Sequence, residues 1–102
     1  MGVSLVITTV DSEAAAEKIA HAALDAGLAA CVQIFPIRSL YVWKGAREDA
    51  REWRLEMKMR TTDYGALEAA ILAVHPYETP EIVRVDAAGG FAPYLDWVRT
   101  AR

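Results

Sequence analysis

The residues best suited to chemistry in this sequence lie together in the segment His75-Pro76-Tyr77-Glu78. An imidazole can act as an acid, a base or a metal ligand near neutral pH. A proline restricts the backbone, so the polar side chains beside it would keep defined positions. The segment therefore predicts a functional cleft on a rigid loop or, as the commoner use of such a loop, a helix-to-strand connection whose polar groups are hydrogen-bonded internally.

Soft metal ligands are scarce, because the chain has one cysteine, Cys31, and two histidines. A thiolate binds soft metals, but the apolar neighbours Val32 and Ile34 favour a small buried hydrophobic side chain. His21 lies on the polar face of a predicted helix and is expected to pair with carboxylates there. Neither Cys-x-x-Cys nor His-x-x-x-His spacing occurs, so the sequence predicts no closed structural zinc site.

The element that must position these residues is a long β-hairpin over residues 30–62, with a polar turn over residues 44–50. The first arm is interrupted at Pro36, and the second alternates apolar and polar residues from Trp53 to Arg60, the period of a strand with one apolar face. Arms of about 10 residues reach about 30 Å, so the hairpin is expected to project beyond its domain. Side chains expected to be covered by another copy of the chain are Tyr41, Trp43, Trp53 and Met57.

The other elements complete a β-α-β-β-α-β order with a C-terminal helix. Their signals are a strand at Val3–Val10, helices after Asp11-Ser12 and Thr62-Asp63, a strand at Ile82–Val85 and a tail helix at Pro93. This order is the ferredoxin-like plan, and right-handed crossovers place both main helices on one sheet face. We expect one α+β domain over residues 1–102, an antiparallel sheet with the first strand central, and assembly to cover the other face.

Composition narrows the function classes. The 102 residues carry a net charge of -3, which disfavours a nucleic-acid groove and docking on anionic lipid. No apolar run approaches the ~18 residues of a membrane span, and the first residues resemble a strand rather than a signal peptide. A cytoplasmic protein that binds neither nucleic acid nor membrane is expected.

Several blocks of residues occur in a recognisable order: Ala29-Ala30-Cys31-Val32, Tyr41-x-Trp43-Lys44-Gly45, Thr61-Thr62, His75-Pro76-Tyr77-Glu78-x-Pro80-Glu81 and Tyr94-Leu95-x-Trp97. With these blocks the chain closely resembles the CutA divalent-cation tolerance family over nearly its whole length. The resemblance implies a ferredoxin-like homotrimer, similar in architecture to the PII signalling proteins, whose three hairpins close the sheets against one another. It implies tolerance to divalent metals, copper above all, with no required cofactor and no firmly attached enzymatic reaction.

The sequence departs from the family pattern at positions that bear on metal binding. Thr8 stands where some members carry a cysteine, and Val74 where some carry a second histidine. The absence of these two soft ligands predicts weak copper or zinc binding. His75 is the main candidate ligand, and Glu78 and Cys31 are further candidates. Other departures from the pattern are Gln33, Arg54 and Arg60.

A ligand cleft is expected where the loop after the second helix faces the hairpin of a neighbouring copy. There, His75, Tyr77 and Glu78 would meet Lys44 or Arg60 of another chain, a mixed-charge site that favours an anionic or metal-bridged ligand. Trp43 would form a wall of this cleft or, more commonly, pack at the hairpin tip. The alternatives are a structural or PII-like signalling trimer that positions partner proteins, and an enzyme that uses His75, Tyr77 and Glu78 for proton transfer.

Overall fold

The computed structural model of the protein describes residues 2–102. Its elements in chain order are β1 (Val3–Val10), α1 (Glu13–Asp25), β2 (Cys31–Trp43), β3 (Ala46–Arg60), a 3-10 turn (Thr61–Asp63), α2 (Tyr64–Val74), β4 (Ile82–Asp86) and α3 (Ala92–Thr100). The strands form one sheet in the order β2-β3-β1-β4, and every neighbouring pair is antiparallel. The predicted ferredoxin-like plan with a central first strand is therefore confirmed. Within the described residues no helix is long and apolar enough to cross a membrane.

One face of the sheet and the first two helices form the core. Val6 of β1 lies opposite Met57 of β3, and side chains opposite each other in an antiparallel pair share a face. Both pack in one buried cluster with Ile19 of α1 and with Leu67 and Ile71 of α2. Both helices therefore lie on the same face, as right-handed crossovers require.

Helix α1 begins at the predicted signal and is followed by a glycine. The Ser12 hydroxyl accepts a hydrogen bond from the Ala15 N–H at 3.1 Å, which satisfies one of the free donors of the first turn. Gly27 follows the helix with φ 68°, the left-handed conformation that glycine adopts without strain. The buried stripe of this helix ends at Ala23, and Leu24 is exposed.

The hairpin differs from the sequence prediction in its turn. Lys44 and Gly45, with φ of 49° and 80°, form a two-residue turn of the type that matches strand twist. The polar segment predicted as a turn is therefore mostly strand, and β3 already begins at Ala46. Pro36 does not interrupt β2 but lies in register opposite Trp53, since an edge strand tolerates a missing N–H.

The length of the hairpin gives the molecule extents of 44 × 26 × 22 Å. Tyr41 and Trp43, in the projecting part, remain 42% and 38% exposed. Met57, by contrast, is fully buried beneath this chain's own helices, and Trp53 packs partly against the same cluster. The prediction that Met57 is covered by another copy is therefore wrong, because the register with β1 turns it toward the core.

The face of the sheet opposite α1 and α2 is partly covered by α3, which has Pro93 in its first turn as predicted. Arg60 lies on this face and its Nη1 donates a hydrogen bond to the carbonyl oxygen of Arg99 at 3.4 Å. Val98 of α3 is buried. Exposed apolar residues on the rest of this face, called here the uncovered face, are Phe35, Val83 and Val85.

Candidate functional site

The loop over residues 75–81 holds most of the residues singled out in the sequence. Helix α2 ends at Val74, and His75 is extended with ψ 132°, as expected for a residue before proline. The backbone N–H of Tyr77 donates to Nδ1 of His75 at 3.1 Å. Because Nδ1 accepts, the ring proton is on Nε2, which donates to the carbonyl oxygen of Thr9 at 3.0 Å and lies 3.1 Å from the Thr8 hydroxyl. Both ring nitrogens are thus engaged within the chain.

The environment of His75 favours the neutral ring. Burial lowers the pKa of His75 below 6.5, and the hydrogen bond to the Thr9 carbonyl and the charges of Asp11 and Glu52 oppose this only in part. Protonation of Nδ1 would also break the hydrogen bond from the Tyr77 N–H. At neutral pH, His75 therefore acts as a brace that joins the loop to the end of β1.

Tyr77 connects the same loop to a residue that sequence reasoning missed. Its hydroxyl donates to Oε2 of Glu52 at 2.6 Å, and Glu52 is only 6% exposed. Burial, and then the hydrogen bond to Glu52, raises the pKa of Tyr77 well above its usual value of 10, so the hydroxyl stays protonated. The strand alternation that starts at Trp53 also extends back to Glu52, but nothing in that pattern indicated its burial.

The 75–81 loop and the outer half of β2 enclose a cleft of about 790 Å³. Pockets of roughly 300–1,000 Å³ are typical of sites for small molecules. The residues that line it include Thr9, Arg38, Tyr41, Trp43, Glu52 and Glu78. The structure therefore places the predicted residues Trp43, Tyr77 and Glu78 in a single cleft.

Lys44, at the hairpin tip, contacts two residues that line this cleft. Its Nζ lies 3.7 Å from Oε2 of Glu78 and 5.4 Å from the centre of the Trp43 ring. Both charged side chains are largely exposed, so the ion pair contributes little to stability. Lys44 was expected to reach Glu78 from another copy, but it does so within the same chain because the hairpin tip lies beside the loop.

Arg60 and Cys31 are not brought to this cleft within one chain. Arg60 lies opposite Val3, at the other end of β1 from the residues that contact His75, about 17 Å away at the usual strand rise. Its guanidinium instead pairs with Asp63 at 2.6 Å. Asp63 precedes α2, and its side chain makes no hydrogen bond that caps the helix.

Cys31 begins β2 and lies opposite Lys58. It is half-buried rather than a core residue. Among residues 2–102 no group of three or more His, Cys, Asp or Glu side chains is arranged to hold a metal ion. The predicted ligands His75, Glu78 and Cys31 therefore do not form one site within a single chain, and a site shared between copies stays a prediction.

Known proteins resemble this chain over almost its whole length. A family model described as CutA1 divalent ion tolerance protein matches residues 4–101. The divalent-cation tolerance protein CutA of Thermus thermophilus is 42% identical over 96 residues, which cover 93% of each chain.

Solved structures show the same likeness in three dimensions. A divalent cation tolerance protein of Thermus thermophilus has a TM-score of 0.91 at 41% identity, with 95% of each chain covered. A protein of Archaeoglobus fulgidus, described as a periplasmic divalent cation tolerance protein CutA, has a TM-score of 0.91 at 35% identity, with 94% of each chain covered. The names of these proteins describe tolerance to divalent cations and no reaction.

Proposed function

Because the chain belongs to the CutA1 divalent ion tolerance family, as its sequence motifs predicted, we propose that it is a small-ligand-binding protein of divalent-cation tolerance and not an enzyme. The observation that carries this proposal is the cleft of about 790 Å³ between the hairpin and the 75–81 loop. The cleft combines aromatic walls with a few polar side chains, the usual make-up of a small-molecule site.

The same geometry disfavours proton transfer by His75, Tyr77 and Glu78. Both nitrogens of His75 are engaged by the backbone of Tyr77 and Thr9, so neither is open to a substrate. The raised pKa of Tyr77 makes its hydroxyl a poor acid, whereas catalysts of this kind work best with a pKa near the operating pH. Binding is therefore the better supported function of the cleft.

A copper or zinc ion does not fit His75, Glu78 and Cys31 of one chain. His75 would have to give up an internal hydrogen bond to coordinate a metal, and Cys31 lies on another part of the sheet. Thr8 and Val74 also lack the soft ligand atoms that transition metals prefer. We expect direct copper binding to be weak and the tolerance function to act through a different ligand or through the assembly.

The assembly that we propose is a homotrimer. The uncovered face exposes Val83 and Val85 by 46% and 49%, and apolar residues of the projecting hairpin are exposed as well. Contiguous exposed apolar surface of this kind marks an interaction site. The outer strands β2 and β4 also offer edges that native proteins usually cover.

The cytoplasmic location expected from the sequence stays a prediction, since one similar protein is described as periplasmic. Fractionation of the cells that make this protein decides the question. Recovery with periplasmic marker proteins would contradict the prediction.

Thermal unfolding with a panel of copper, zinc, nucleotides and small organic amines tests the binding function. A ligand that prefers the folded state raises the melting temperature, and we expect at least one member of the panel to do so. Glu78→Gln removes a charge at the cleft rim while it keeps the shape of the side chain. The variant should keep its assembly and melting temperature and lose part of the ligand-induced shift.

The alternative is a structural or signalling trimer whose cleft residues only clamp subunits together. If Glu78→Gln loosens the assembly and no compound raises the melting temperature of the wild type, that alternative replaces the binding function.

A further inference from the structure

One carboxylate in the cleft, that of Glu52, forms no ion pair with any of residues 2–102. Glu52 is 6% exposed, and its Oε2 accepts a hydrogen bond from the neutral hydroxyl of Tyr77 at 2.6 Å. Arg38 also lines the cleft, but Asp49 accepts from its Nε at 2.9 Å and from its Nη2 at 2.7 Å.

The second oxygen of Glu52 is open to the cleft. Oε1 accepts no hydrogen bond from any of residues 2–102. In this part of the chain, every side-chain nitrogen or oxygen atom of a non-exposed residue that is inaccessible to solvent has a hydrogen-bond partner. Oε1 is therefore accessible to solvent, and it is accessible through the cleft that Glu52 lines. Burial of a carboxylate without a cation is costly, so this arrangement requires compensation from outside the chain.

The surroundings of Glu52 add further negative charge. Glu78 and Glu81 line the same cleft, and Arg38 is the cation among the lining residues. Asp49 pairs with Arg38, and Lys44 pairs with Glu78. Among the lining residues, Glu52 and Glu81 are therefore the carboxylates without an ion-pair partner in the described part of the chain. The cleft is therefore suited to a positive ligand.

We propose that this cleft binds a protonated organic amine whose ammonium group donates a hydrogen bond to Oε1 of Glu52 and whose apolar part lies against Tyr41 and Trp43. The proposal rests on the proposed function of the cleft as a small-ligand site. Aromatic side chains supply apolar contact area for the ring of such a ligand, and Tyr41 and Trp43 line the same cleft as Glu52. A transition metal fits less well, because no group of three ligating side chains is present in the described chain.

This ligand differs from the anionic or metal-bridged one expected from the sequence. That expectation depended on Lys44 or Arg60 of another chain and did not include Glu52. Within one chain, Lys44 pairs with Glu78 and Arg60 pairs with Asp63. Because the buried charge in the cleft is negative, the preferred ligand carries a positive charge.

Three probes with one phenyl ring and different head groups test the proposal: 2-phenylethylamine, 2-phenylethanol and 3-phenylpropanoate. Titration calorimetry on the assembled protein should give an affinity for the amine at least tenfold higher than for the alcohol or the carboxylate. Glu52→Gln keeps an acceptor for the Tyr77 hydroxyl and should lower the affinity for the amine at least tenfold. Glu17→Gln, at an exposed position of α1, makes the same charge change elsewhere and should leave the affinity unchanged.

A second measurement separates a ligand-binding Glu52 from a structural one. Without any probe, Glu52→Gln should keep or raise the melting temperature, because it removes a buried charge that has no cation. A lower melting temperature together with unchanged amine binding overturns the proposal and makes Glu52 a brace for Tyr77. If Glu52→Gln does not fold, Tyr77→Phe keeps the carboxylate with both oxygens open, and loss of the amine preference in that variant overturns the proposal.

The outcomes also distinguish this proposal from the proposed function. Preferred binding of the alcohol or the carboxylate, unaffected by Glu52→Gln, overturns the amine ligand and leaves a ligand-binding cleft. If none of the three probes binds and no metal or nucleotide raises the melting temperature, the binding function fails together with the amine ligand.

Discussion

At the scale of single residues, His75 connects two parts of the molecule. Its ring joins the end of β1, through the Thr9 carbonyl, to the loop that lines the cleft, through the Tyr77 N–H. This use of both nitrogens requires a neutral imidazole. The residue that the sequence marks most clearly for chemistry therefore has a positioning role, and the buried carboxylate that lines the cleft belongs to Glu52.

The role of His75 predicts a dependence of stability on pH. Its pKa in the folded chain is below 6.5, so the unfolded chain binds a proton more readily at mildly acidic pH. The stabilisation is fully present above pH 6.5 and is lost as the pH falls through the folded pKa. Urea unfolding at pH 7.5 and 5.5, at one protein concentration, should show a larger loss of unfolding free energy for the wild type than for His75→Gln.

His21→Gln is the matched control for this experiment, because His21 is exposed on α1. It should keep the pH dependence of the wild type. Equal pH dependence in the wild type and in His75→Gln would contradict the assignment of a neutral His75.

At the scale of elements, the hairpin depends on its two-residue turn. Positive φ at both Lys44 and Gly45 gives the turn the same sense of twist as the strands, which lets β2 and β3 pair up to Trp43 and Ala46. The same pairing places Trp43 and Lys44 beside the 75–81 loop. The geometry of the cleft therefore depends on a turn that lies at the end of the molecule.

The backbone conformation of the turn predicts that two glycine substitutions differ in their effect on stability. A Cβ added at Gly45 or at Gly89 meets no atom within 4 Å, so neither substitution causes a clash. Gly45 has φ 80°, where an L side chain costs about 1–2 kcal/mol, whereas Gly89 is outside this region. Gly45→Ala should lower the free energy of unfolding in urea by about that amount and Gly89→Ala by clearly less.

Equal effects of the two substitutions would mean that the strain at the turn does not limit the stability of the hairpin. In that case, the projecting part of the hairpin makes no measurable contribution to the free energy of unfolding of the whole chain.

At the scale of the whole molecule, one chain leaves apolar surface that an assembly would bury. α1 and α2 cover one face of the sheet, but α3 leaves Phe35, Val83 and Val85 exposed on the other. A hairpin that extends the molecule to 44 Å also presents Val42 to solvent. These are the surfaces through which we expect three copies to associate.

Light scattering at micromolar concentration should give the mass of three chains, each of 11.2 kDa. Val85→Asp introduces a carboxylate on the uncovered face, and its burial in an interface without a partner is costly. We expect this variant to dissociate or unfold. Leu72→Asp, at an exposed position of α2, should remain assembled, and a monomer mass for the wild type would rule out the trimer.

Local patterns in the sequence were sufficient for the order of elements. The alternation from Trp53 to Arg60, the cap at Ser12 and the glycine at position 27 each depend on residues close in the chain. Motifs spread along the chain, such as Tyr41-x-Trp43-Lys44-Gly45, were likewise sufficient for the family.

The faces and partners of side chains depended on contacts between distant strands, and only the tertiary structure decided them. The register of β3 with β1 turns the Met57 side chain into the chain's own core. The pairing of β2 with β3 includes Pro36 and Ala46 in the strands. Glu52 is an ordinary strand residue in the sequence, and it becomes the buried anion of the cleft because Tyr77, 25 positions away, donates to it. A period of two assigns side chains to alternate faces, but which element covers each face is a property of the assembled sheet.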